Sequence, residues 1–311
     1  MMEVEKRSPG YDMVVVTGPT ASGKTGLAAR LALRLGGEII SADSRQIYRQ
    51  MDIGTGKDYS DYVVDGIKIP YHLIDIRDPG YRYSLFEYHR DFTEVLTDMR
   101  ERNIFPVVCG GSGMYIDSVV SGYRLPEVPP DPLLRESLED RTMEELTTIL
   151  SSYRKLHNVT DIDTRKRAVR AIEIEKYLAD HGETVAGFPV TKPLVTGVLY
   201  SREVRRKRIS ERLKSRLEEG MVEEVQKLLD RGIDPETLIY YGLEYKYITL
   251  FLTGKIGYDE MVSSLEIAIH QFAKRQMTWF RGMERRGVVI HWIDGELPTE
   301  EKVELVISIL K

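Results

Sequence analysis

The sequence has almost no cysteine and no long apolar run. Its 311 residues include one cysteine, Cys109, so an intramolecular disulfide is excluded, as is typical of a reducing compartment. No apolar stretch reaches the roughly 20 residues that a membrane-spanning helix needs, and acidic side chains occupy the first twelve residues, where a signal peptide has an apolar core. These absences predict a cytoplasmic protein without a membrane segment. The apolar neighbours of Cys109 predict a buried thiol at the end of a strand rather than a nucleophile.

The sequence also lacks the positive net charge of many nucleic-acid-binding proteins, because its formal net charge is −5. The basic residues are nevertheless concentrated in three segments, 163–170, 201–216 and 274–286. An acidic protein can present a basic face to a polyanion, so this distribution keeps a nucleic-acid partner open. The six histidines show no spacing typical of a metal site.

Short apolar strands alternate with amphipathic helices over the first third of the chain. The segments MVVVTG (13–18), GEIISAD (37–43) and IFPVVCGG (104–111) have the pattern of buried strands. The segment 84–103 is typical of an amphipathic helix, with Ser84 and Glu87 spaced as a capping box. This alternation predicts an α/β fold with a mainly parallel sheet.

A change of composition predicts a second domain inside the first. Four prolines lie between residues 126 and 132, and the chain is then polar and helical in pattern until a strand returns at KPLVTGVLYS (192–201). We therefore expect a P-loop NTPase-like core formed by residues 1–122 and 193–311. We expect a helical insertion domain at 123–192, joined through a semi-rigid proline-rich segment.

The segment GPTASGKT at 18–25 matches the pattern G-x-x-x-x-G-K-[ST] between an apolar strand and an amphipathic helix. In this motif backbone N–H groups surround phosphate oxygens, the lysine supplies a positive charge and the last hydroxyl binds Mg²⁺. Thr25 is thus the candidate metal ligand, with Mg²⁺ as the expected cofactor. The predicted phosphate-binding residues are Gly18, Pro19, Thr20, Ala21, Ser22, Gly23, Lys24 and Thr25.

Asp43 follows the second predicted strand, beside the phosphate loop at the carboxyl edge of a parallel sheet. A carboxylate there can serve as a general base, but an aspartate after a strand is as often a turn or capping residue. No apolar strand ends in an obvious second metal-binding aspartate of an ATPase, the nearest candidates being Asp75 and Asp78.

Seven segments of the chain occur in an order that is specific to one family: GPTASGKT, GEIISADSRQIYRQMDIGTGK, HLIDIRDP, GGSGMY, LPEVPPDP, RAVRAIEI and AKRQMTWFR. Through them the chain resembles tRNA dimethylallyltransferases, also called tRNA isopentenyltransferases, from about residue 14 to residue 294. The resemblance implies transfer of a dimethylallyl group from dimethylallyl diphosphate to N6 of the adenosine immediately 3′ of the anticodon in tRNA. It also implies that the phosphate loop holds the diphosphate of the prenyl donor rather than ATP.

The resemblance assigns catalytic roles to three residues. Asp43 is the general base for the exocyclic amine, and Ser112 stands where the family usually has threonine. Arg208 matches an arginine that contacts the departing diphosphate. It shares one helical face with Arg205, Arg212 and Arg216, which we expect to be surface residues or tRNA-backbone contacts.

The target adenine is stacked in the anticodon loop and has to be flipped out to react. The resemblance therefore implies contacts with the tRNA anticodon stem-loop, made by a protein expected to be a monomer. The predicted tRNA-binding residues are Asp43, Ser44, Arg45, Gln46, Lys166, Arg167, Arg170, Lys274 and Arg275. For the basic helix of the insertion, a solvent-exposed face with i,i+4 ion pairs remains the alternative. Glu244 and Lys246 depart from the family pattern at a turn expected to face RNA, where a negative charge is unfavourable.

Other functions remain open from the residues alone. An adenylate isopentenyltransferase would act on a free nucleotide and would need no basic insertion. A small-molecule P-loop kinase would turn over ATP and have an adenine pocket. A non-enzymatic RNA-binding ATP switch would leave Asp43 and Ser112 without a role.

Overall fold

The computed structural model describes residues 10–123, 125–154, 162–182 and 188–311. Of these, the residues up to Tyr123 and from Pro189 onward form one compact unit, and those between form a second. The predicted insertion, 123–192, covers the second unit, and the strand expected after it begins at Pro193.

The first unit carries the sheet and most of the helices. In chain order the described elements are β1 (Met13–Thr17), α1 (Lys24–Leu35), β2 (Gly37–Ser41), β3 (Val63–Val64), β4 (Ile67–Lys68), β5 (Tyr71–His72), α2 (Leu85–Glu101), β6 (Phe105–Gly110), α3 (Gly113–Val120), α4 (Pro132–Ser137), α5 (Met143–Tyr153), α6 (Arg165–His181), β7 (Pro193–Leu199), α7 (Arg202–Glu218), α8 (Met221–Asp230), α9 (Pro235–Tyr240), α10 (Leu243–Leu252), α11 (Tyr258–Arg285), β8 (Ile290–Asp294) and α12 (Thr299–Leu310). The helices α4, α5 and α6 belong to the second unit.

The main sheet has six strands in the order β5-β2-β6-β1-β7-β8, and each neighbouring pair is parallel. This confirms the predicted α/β fold with a mainly parallel sheet. Strands β2, β6 and β1 are adjacent, so the loops that follow them meet at one edge of the sheet. The predicted phosphate loop, Asp43 and Ser112 lie on these three loops.

The sequence explains why β1 is central. Each residue of MVVVT is buried, as expected for a strand covered by helices on both faces. The predicted capping box at the start of α2 is present, because Ser84 accepts from the Glu87 N–H and Glu87 accepts from the Ser84 N–H. Cys109 is buried in β6, as predicted, and burial raises the pKa of its thiol to about 12.

The helix α11 has 28 residues and packs against α3, α7 and α10. It carries charged residues throughout. No helix in the described ranges is long and apolar enough to cross a membrane.

The second unit packs α5 against α6 around a small apolar core. Within it, Glu173 of α6 is only 2% exposed and accepts hydrogen bonds from Arg135 at 2.9 Å and from the Asp131 N–H at 2.6 Å. Arg170 also donates to Glu173, and its other amino group donates to the Val128 carbonyl at 2.8 Å. A buried carboxylate with two partly exposed arginine partners therefore ties this unit together.

Candidate active site

A cavity of about 1040 Å³ lies at the carboxyl edge of the sheet, within the first unit. The loops after β1, β2 and β6 form part of its lining, and side chains of α7, α10 and α11 complete it. The sheet topology thus brings together sequence segments that are far apart in the chain.

The phosphate loop, residues 18–25, begins with a positive backbone φ angle and a close approach that require glycine at position 18. Gly18 has φ of +152°, and a Cβ there would lie 2.8 Å from both Ser22 Oγ and the Val198 carbonyl oxygen. Ala21 also has positive φ, +60°, although it carries a side chain. Ser22 Oγ is buried and has no hydrogen-bond partner within the described residues, so a ligand oxygen could satisfy it.

Lys24 is the first residue of α1 and lines the cavity with the loop. Burial lowers the pKa of its ammonium group, and the guanidinium groups of Arg212 and Arg216 lower it further, whereas the Cys109 thiol and the Asp43 carboxylate act in the opposite direction. Several cations therefore share one partly desolvated space, an arrangement that an anionic ligand would stabilise.

Arg208 contacts the phosphate loop directly. Its Nε donates to the Ala21 carbonyl oxygen at 2.9 Å, and its guanidinium carbon lies 4.5 Å from the ring centroid of Tyr200. These two contacts hold the guanidinium beside the phosphate loop.

Two further arginines of α7, Arg212 and Arg216, line the cavity. Arg212 donates to Thr20 Oγ1 at 3.3 Å, and both Arg212 and Arg216 reach Asp58, at 3.5 and 3.4 Å. The prediction of a surface or tRNA-backbone position was wrong for Arg216, because it is only 7% exposed. The spacing of Arg208, Arg212 and Arg216 at i, i+4 and i+8 was the signal that all three share one wall.

Asp43 is both a turn residue and a cavity residue. Its Oδ1 accepts the Arg45 N–H at 3.0 Å, which closes a side-chain turn after β2. Within the described residues its Oδ2 has no hydrogen-bond or ion-pair partner, and Asp43 lines the cavity with Lys24. Both interpretations left open by the sequence are thus compatible with the structure.

Ser112 joins the loops after β2 and β6. Its Oγ accepts the Ser44 N–H at 2.9 Å and donates to Ser44 Oγ at 3.2 Å, although it stands at the N-cap of α3 and caps no helix N–H. Ser112 therefore fixes the segment that carries Asp43 next to the phosphate loop.

Comparisons with known proteins show which family the chain belongs to. The family model described as IPP transferase matches residues 46–283, and that described as isopentenyl transferase matches residues 11–69. A Phocaeicola vulgatus protein named tRNA dimethylallyltransferase 2 is 61% identical over 300 residues, covering 96% of this chain and 98% of its own length. The chain belongs to the tRNA dimethylallyltransferase family.

Other relatives extend the likeness. The Parabacteroides distasonis tRNA dimethylallyltransferase 1 is 60% identical and covers 96% of this chain and 98% of its own. A crystal structure is known of the full-length tRNA isopentenylpyrophosphate transferase from Bacillus halodurans, whose sequence is 31% identical to this chain. The two structures superpose with a TM-score of 0.70, and the match covers 96% of this chain and 95% of that chain. The family, the enzyme class and the P-loop-like fold predicted from the motifs are confirmed.

In this family member, Gln276 braces the phosphate loop. The side chain of Gln276 is buried, with 7% exposed. Its Oε1 accepts the Thr20 N–H and its Nε2 donates to the Gly111 carbonyl, both at 2.9 Å. One amide therefore links the loops after β1 and β6, a role that no local sequence signal predicts.

Trp279 of α11 contacts the start of α3. A Cβ at Gly113 would lie 2.4 Å from the indole Cδ1, so only glycine fits there. Trp279 also lines the cavity, and its buried Nε1 has no hydrogen-bond partner within the described part of the chain. The indole thus packs against the start of α3 and also forms part of the cavity wall.

The loop at residues 52–56, which contributes Gly54 and Gly56 to the cavity, is held by a side chain that the sequence did not single out. Glu224 of α8 accepts the N–H groups of Asp52 at 2.8 Å, Ile53 at 2.7 Å and Gly54 at 3.1 Å. Tyr245 donates to the same carboxylate at 2.7 Å.

The predicted tRNA contacts have differing surroundings in the structure. Gln46 is buried, accepts from Ser41 Oγ at 3.3 Å and donates to the Gly56 carbonyl at 3.0 Å, so its amide already fixes a loop. Lys274 and Arg275 are exposed on α11, and Arg275 borders the cavity. The roles of these residues at tRNA stay predictions.

On α6, Lys166 is exposed, whereas Arg167 and Arg170 form ion pairs with Asp163 and Glu173. The alternative, a solvent-exposed face with i,i+4 ion pairs, thus describes Arg167, whereas Arg170 forms an i,i+3 pair with a buried glutamate.

The sequence led us to expect Glu244 at a turn that faces RNA, but the structure places it elsewhere. It lies in the first turn of α10 and lines the cavity, and burial raises the pKa of its carboxyl while Arg216 and Arg212 act in the opposite direction. Its negative charge therefore faces arginines rather than an open surface.

Proposed function

We propose that the protein transfers a dimethylallyl group from dimethylallyl diphosphate to N6 of the adenosine immediately 3′ of the anticodon in tRNA. The observation that carries the proposal is the shared cavity: the phosphate loop, the arginines of α7 and the open carboxylate oxygen of Asp43 all line it. Such a cavity could hold an anionic leaving group and a flipped purine together.

The phosphate loop and its neighbours would bind the diphosphate. Lys24, Arg208 and Arg212 supply positive charge, and Ser22 Oγ supplies a buried donor that has no other described partner. These groups would stabilise the negative charge that develops on the leaving diphosphate as the allylic C–O bond breaks.

Mg²⁺ fits this arrangement as a cofactor. The Thr25 hydroxyl lies next to the Cys109 thiol on the cavity lining. Among the described residues no group of three or more His, Cys, Asp or Glu side chains could hold a metal alone. Mg²⁺ commonly binds through substrate phosphates, water and few protein oxygens, so Thr25 would be its protein ligand. When bound, it would neutralise charge on the diphosphate.

Asp43 would accept the proton of the amine. The lone pair of the adenine N6 amine is delocalised into the ring, so removal of an N–H proton makes it a better nucleophile. In the proposed step the N6–C bond forms, the C–O bond breaks with its electron pair leaving on the diphosphate, and the proton moves to Asp43 Oδ2. Ser112 and Ser44 would hold Asp43 in position through their mutual hydrogen bonds.

The tRNA substrate is proposed from the family and from the basic residues. The relatives are named for tRNA, and Lys166 of α6 and Lys274 and Arg275 of α11 are exposed cations that could contact its phosphates. The helical unit would then be a tRNA-binding domain. The proposal includes a monomer that acts in the cytoplasm, where tRNA is found.

The test is incubation with labelled dimethylallyl diphosphate and unmodified tRNA, followed by nucleoside analysis. The expected result is labelled N6-(dimethylallyl)adenosine in tRNA. Transfer to free AMP instead would identify an adenylate isopentenyltransferase. ATP turnover without prenyl transfer would support the kinase alternative.

A further inference from the structure

An exposed tyrosine lies between two arginines near the cavity. Tyr240 is 46% exposed, and the guanidinium carbons of Arg45 and Arg82 lie 5.7 and 5.4 Å from its ring centroid. Neither arginine has a carboxylate partner within 4 Å among the described residues, and Arg82 is exposed. We call these three side chains the Tyr240 platform.

The rest of the structure holds the platform in place. Tyr241, which is fully buried, accepts the Gly80 N–H at 2.6 Å and donates to the Tyr81 carbonyl at 2.8 Å. Its ring also packs against Tyr48, with centroids 4.3 Å apart. These contacts fix the segment that carries Arg82 against the end of α9, which carries Tyr240. The platform is therefore preorganised.

The platform is next to the proposed reaction site. The N–H of Arg45 donates to Asp43 Oδ1, and both residues line the cavity, as do Tyr241 and Gly242 immediately after the platform tyrosine. A nucleotide placed beside a base in the cavity would thus come close to Tyr240 and its two arginines.

Flat, cationic and partly exposed groups are suited to unpaired nucleobases. Bases in RNA loops stack on tyrosine rings and on guanidinium planes, and arginines without carboxylate partners are available for the adjoining phosphates. A peptide ligand would use the stacking surface and the two arginines less fully, because it has neither nucleobases nor a phosphate at each residue.

We propose that the Tyr240 platform binds an unpaired base of the tRNA anticodon loop adjacent to the flipped adenosine, by stacking, while Arg82 contacts a phosphate. This inference rests on the proposed function for its substrate, but it assigns a separate subsite and adds Tyr240 and Arg82 to the predicted tRNA-binding residues. The platform would hold the loop open around the reacting nucleotide.

The test uses anticodon stem-loop RNA in which 2-aminopurine replaces one unpaired loop base at a time, the target being left unchanged. We expect the wild-type protein to quench the fluorescence at one position next to the target. Tyr240→Phe should retain the quenching, because it keeps the ring, and Tyr240→Ala should lose it. Tyr240→Ala should also weaken RNA binding about 10- to 100-fold, with the KM for dimethylallyl diphosphate unchanged.

A second variant tests the phosphate contact. Arg82→Ala should reduce the slope of log K against log salt concentration for the stem-loop by about one phosphate contact. The matched control is Tyr258→Ala, an equally exposed tyrosine (48%) outside the cavity lining, which should bind RNA like the wild type.

The outcomes separate the two proposals. Suppose that the wild type prenylates tRNA, and that Tyr240→Ala binds the stem-loop and quenches 2-aminopurine as strongly as the wild type. The platform is then refuted and the proposed function stands. If the wild type binds the stem-loop with the predicted quenching but transfers no prenyl group, the function is refuted and the platform stands. Equal losses in Tyr240→Phe and Tyr240→Ala would also refute stacking.

Discussion

Two basic helices, α6 and α7, have similar sequences of closely spaced arginines but different surroundings. On α6, Arg167 pairs with Asp163, and Arg170 pairs with the buried Glu173. On α7, Arg208 has a backbone carbonyl and a tyrosine ring as its contacts, and Arg212 and Arg216 share the single carboxylate of Asp58. The density of positive charge in the sequence thus does not distinguish a structural helix from a site helix.

The difference has an energetic meaning. A desolvated cation that lacks a full partner destabilises the protein, so a group of them is typical of a site that binds an anion. Burial lowers the pKa of Arg212 to about 10, with Arg216 adding to the effect. On α6, Arg167 and Arg170 already have acidic partners.

We expect the largest effect on the rate from one of two aspartates, Asp43 in the cavity and Asp163 beside α6. Asp43→Ala should lower kcat by about 10²- to 10⁴-fold with little change in tRNA affinity, because it removes the proposed base. Asp163→Ala, the partner of Arg167 at the start of α6, should leave kcat within about two-fold of the wild type. Single-turnover prenyl transfer and a filter-binding assay measure the two quantities. A large loss of tRNA affinity with a modest loss of rate would assign Asp43 to binding.

The comparison is tested most directly by one arginine from each helix. Arg208→Ala should reduce kcat/KM for dimethylallyl diphosphate by about 10²- to 10³-fold, since a donor to the leaving group is lost. Arg167→Ala should leave this constant within about two-fold. Steady-state kinetics at saturating tRNA provide the measurement, and equal effects of the two substitutions would contradict the distinction.

The reverse pattern is expected for stability. Arg170→Ala should lower the stability of the helical unit by roughly 1–3 kcal/mol, because Glu173 is left buried with one partner fewer. Hydrogen exchange of the α6 amides would detect the loss, and Lys166→Ala, at an exposed position on the same helix, is the control. Unchanged exchange in Arg170→Ala would show that the ion pair is dispensable.

The smallest expected effect concerns pH. The lowered pKa of Lys24 means that this cation loses its proton below the ordinary value of 10.5, so affinity for dimethylallyl diphosphate should fall as pH rises through that lowered pKa. Equilibrium dialysis with the labelled diphosphate across the alkaline range would follow the loss. Lys24→Arg should retain its affinity to higher pH, and identical profiles would exclude Lys24 as the titrating group.

The sheet and the phosphate loop could be predicted because their signals are local. The apolar strand before Gly18, the motif through Thr25 and the helix after it lie within one short segment of sequence. Family resemblance added Asp43, Ser112 and Arg208, which the structure brings to the same cavity.

The remaining site features depend on contacts between distant segments. Nothing near Gln276 or Glu224 indicates that each binds backbone groups of a loop far away in the sequence. The burial of Arg216 depends on how α7 lies against the loop with Asp58, and helical spacing alone gives a face without saying what covers it. The positive φ of Ala21 likewise follows from the fold of the whole loop.

The amide bridge made by Gln276 has a consequence for biosynthesis. The ribosome makes residues 18–25 near the beginning of the chain, yet the N–H of Thr20 receives its Gln276 partner only after some 250 further residues have been added. During most of translation the phosphate loop is therefore without its brace. Under the proposed function, full affinity for the prenyl donor should arise only once α11 has docked.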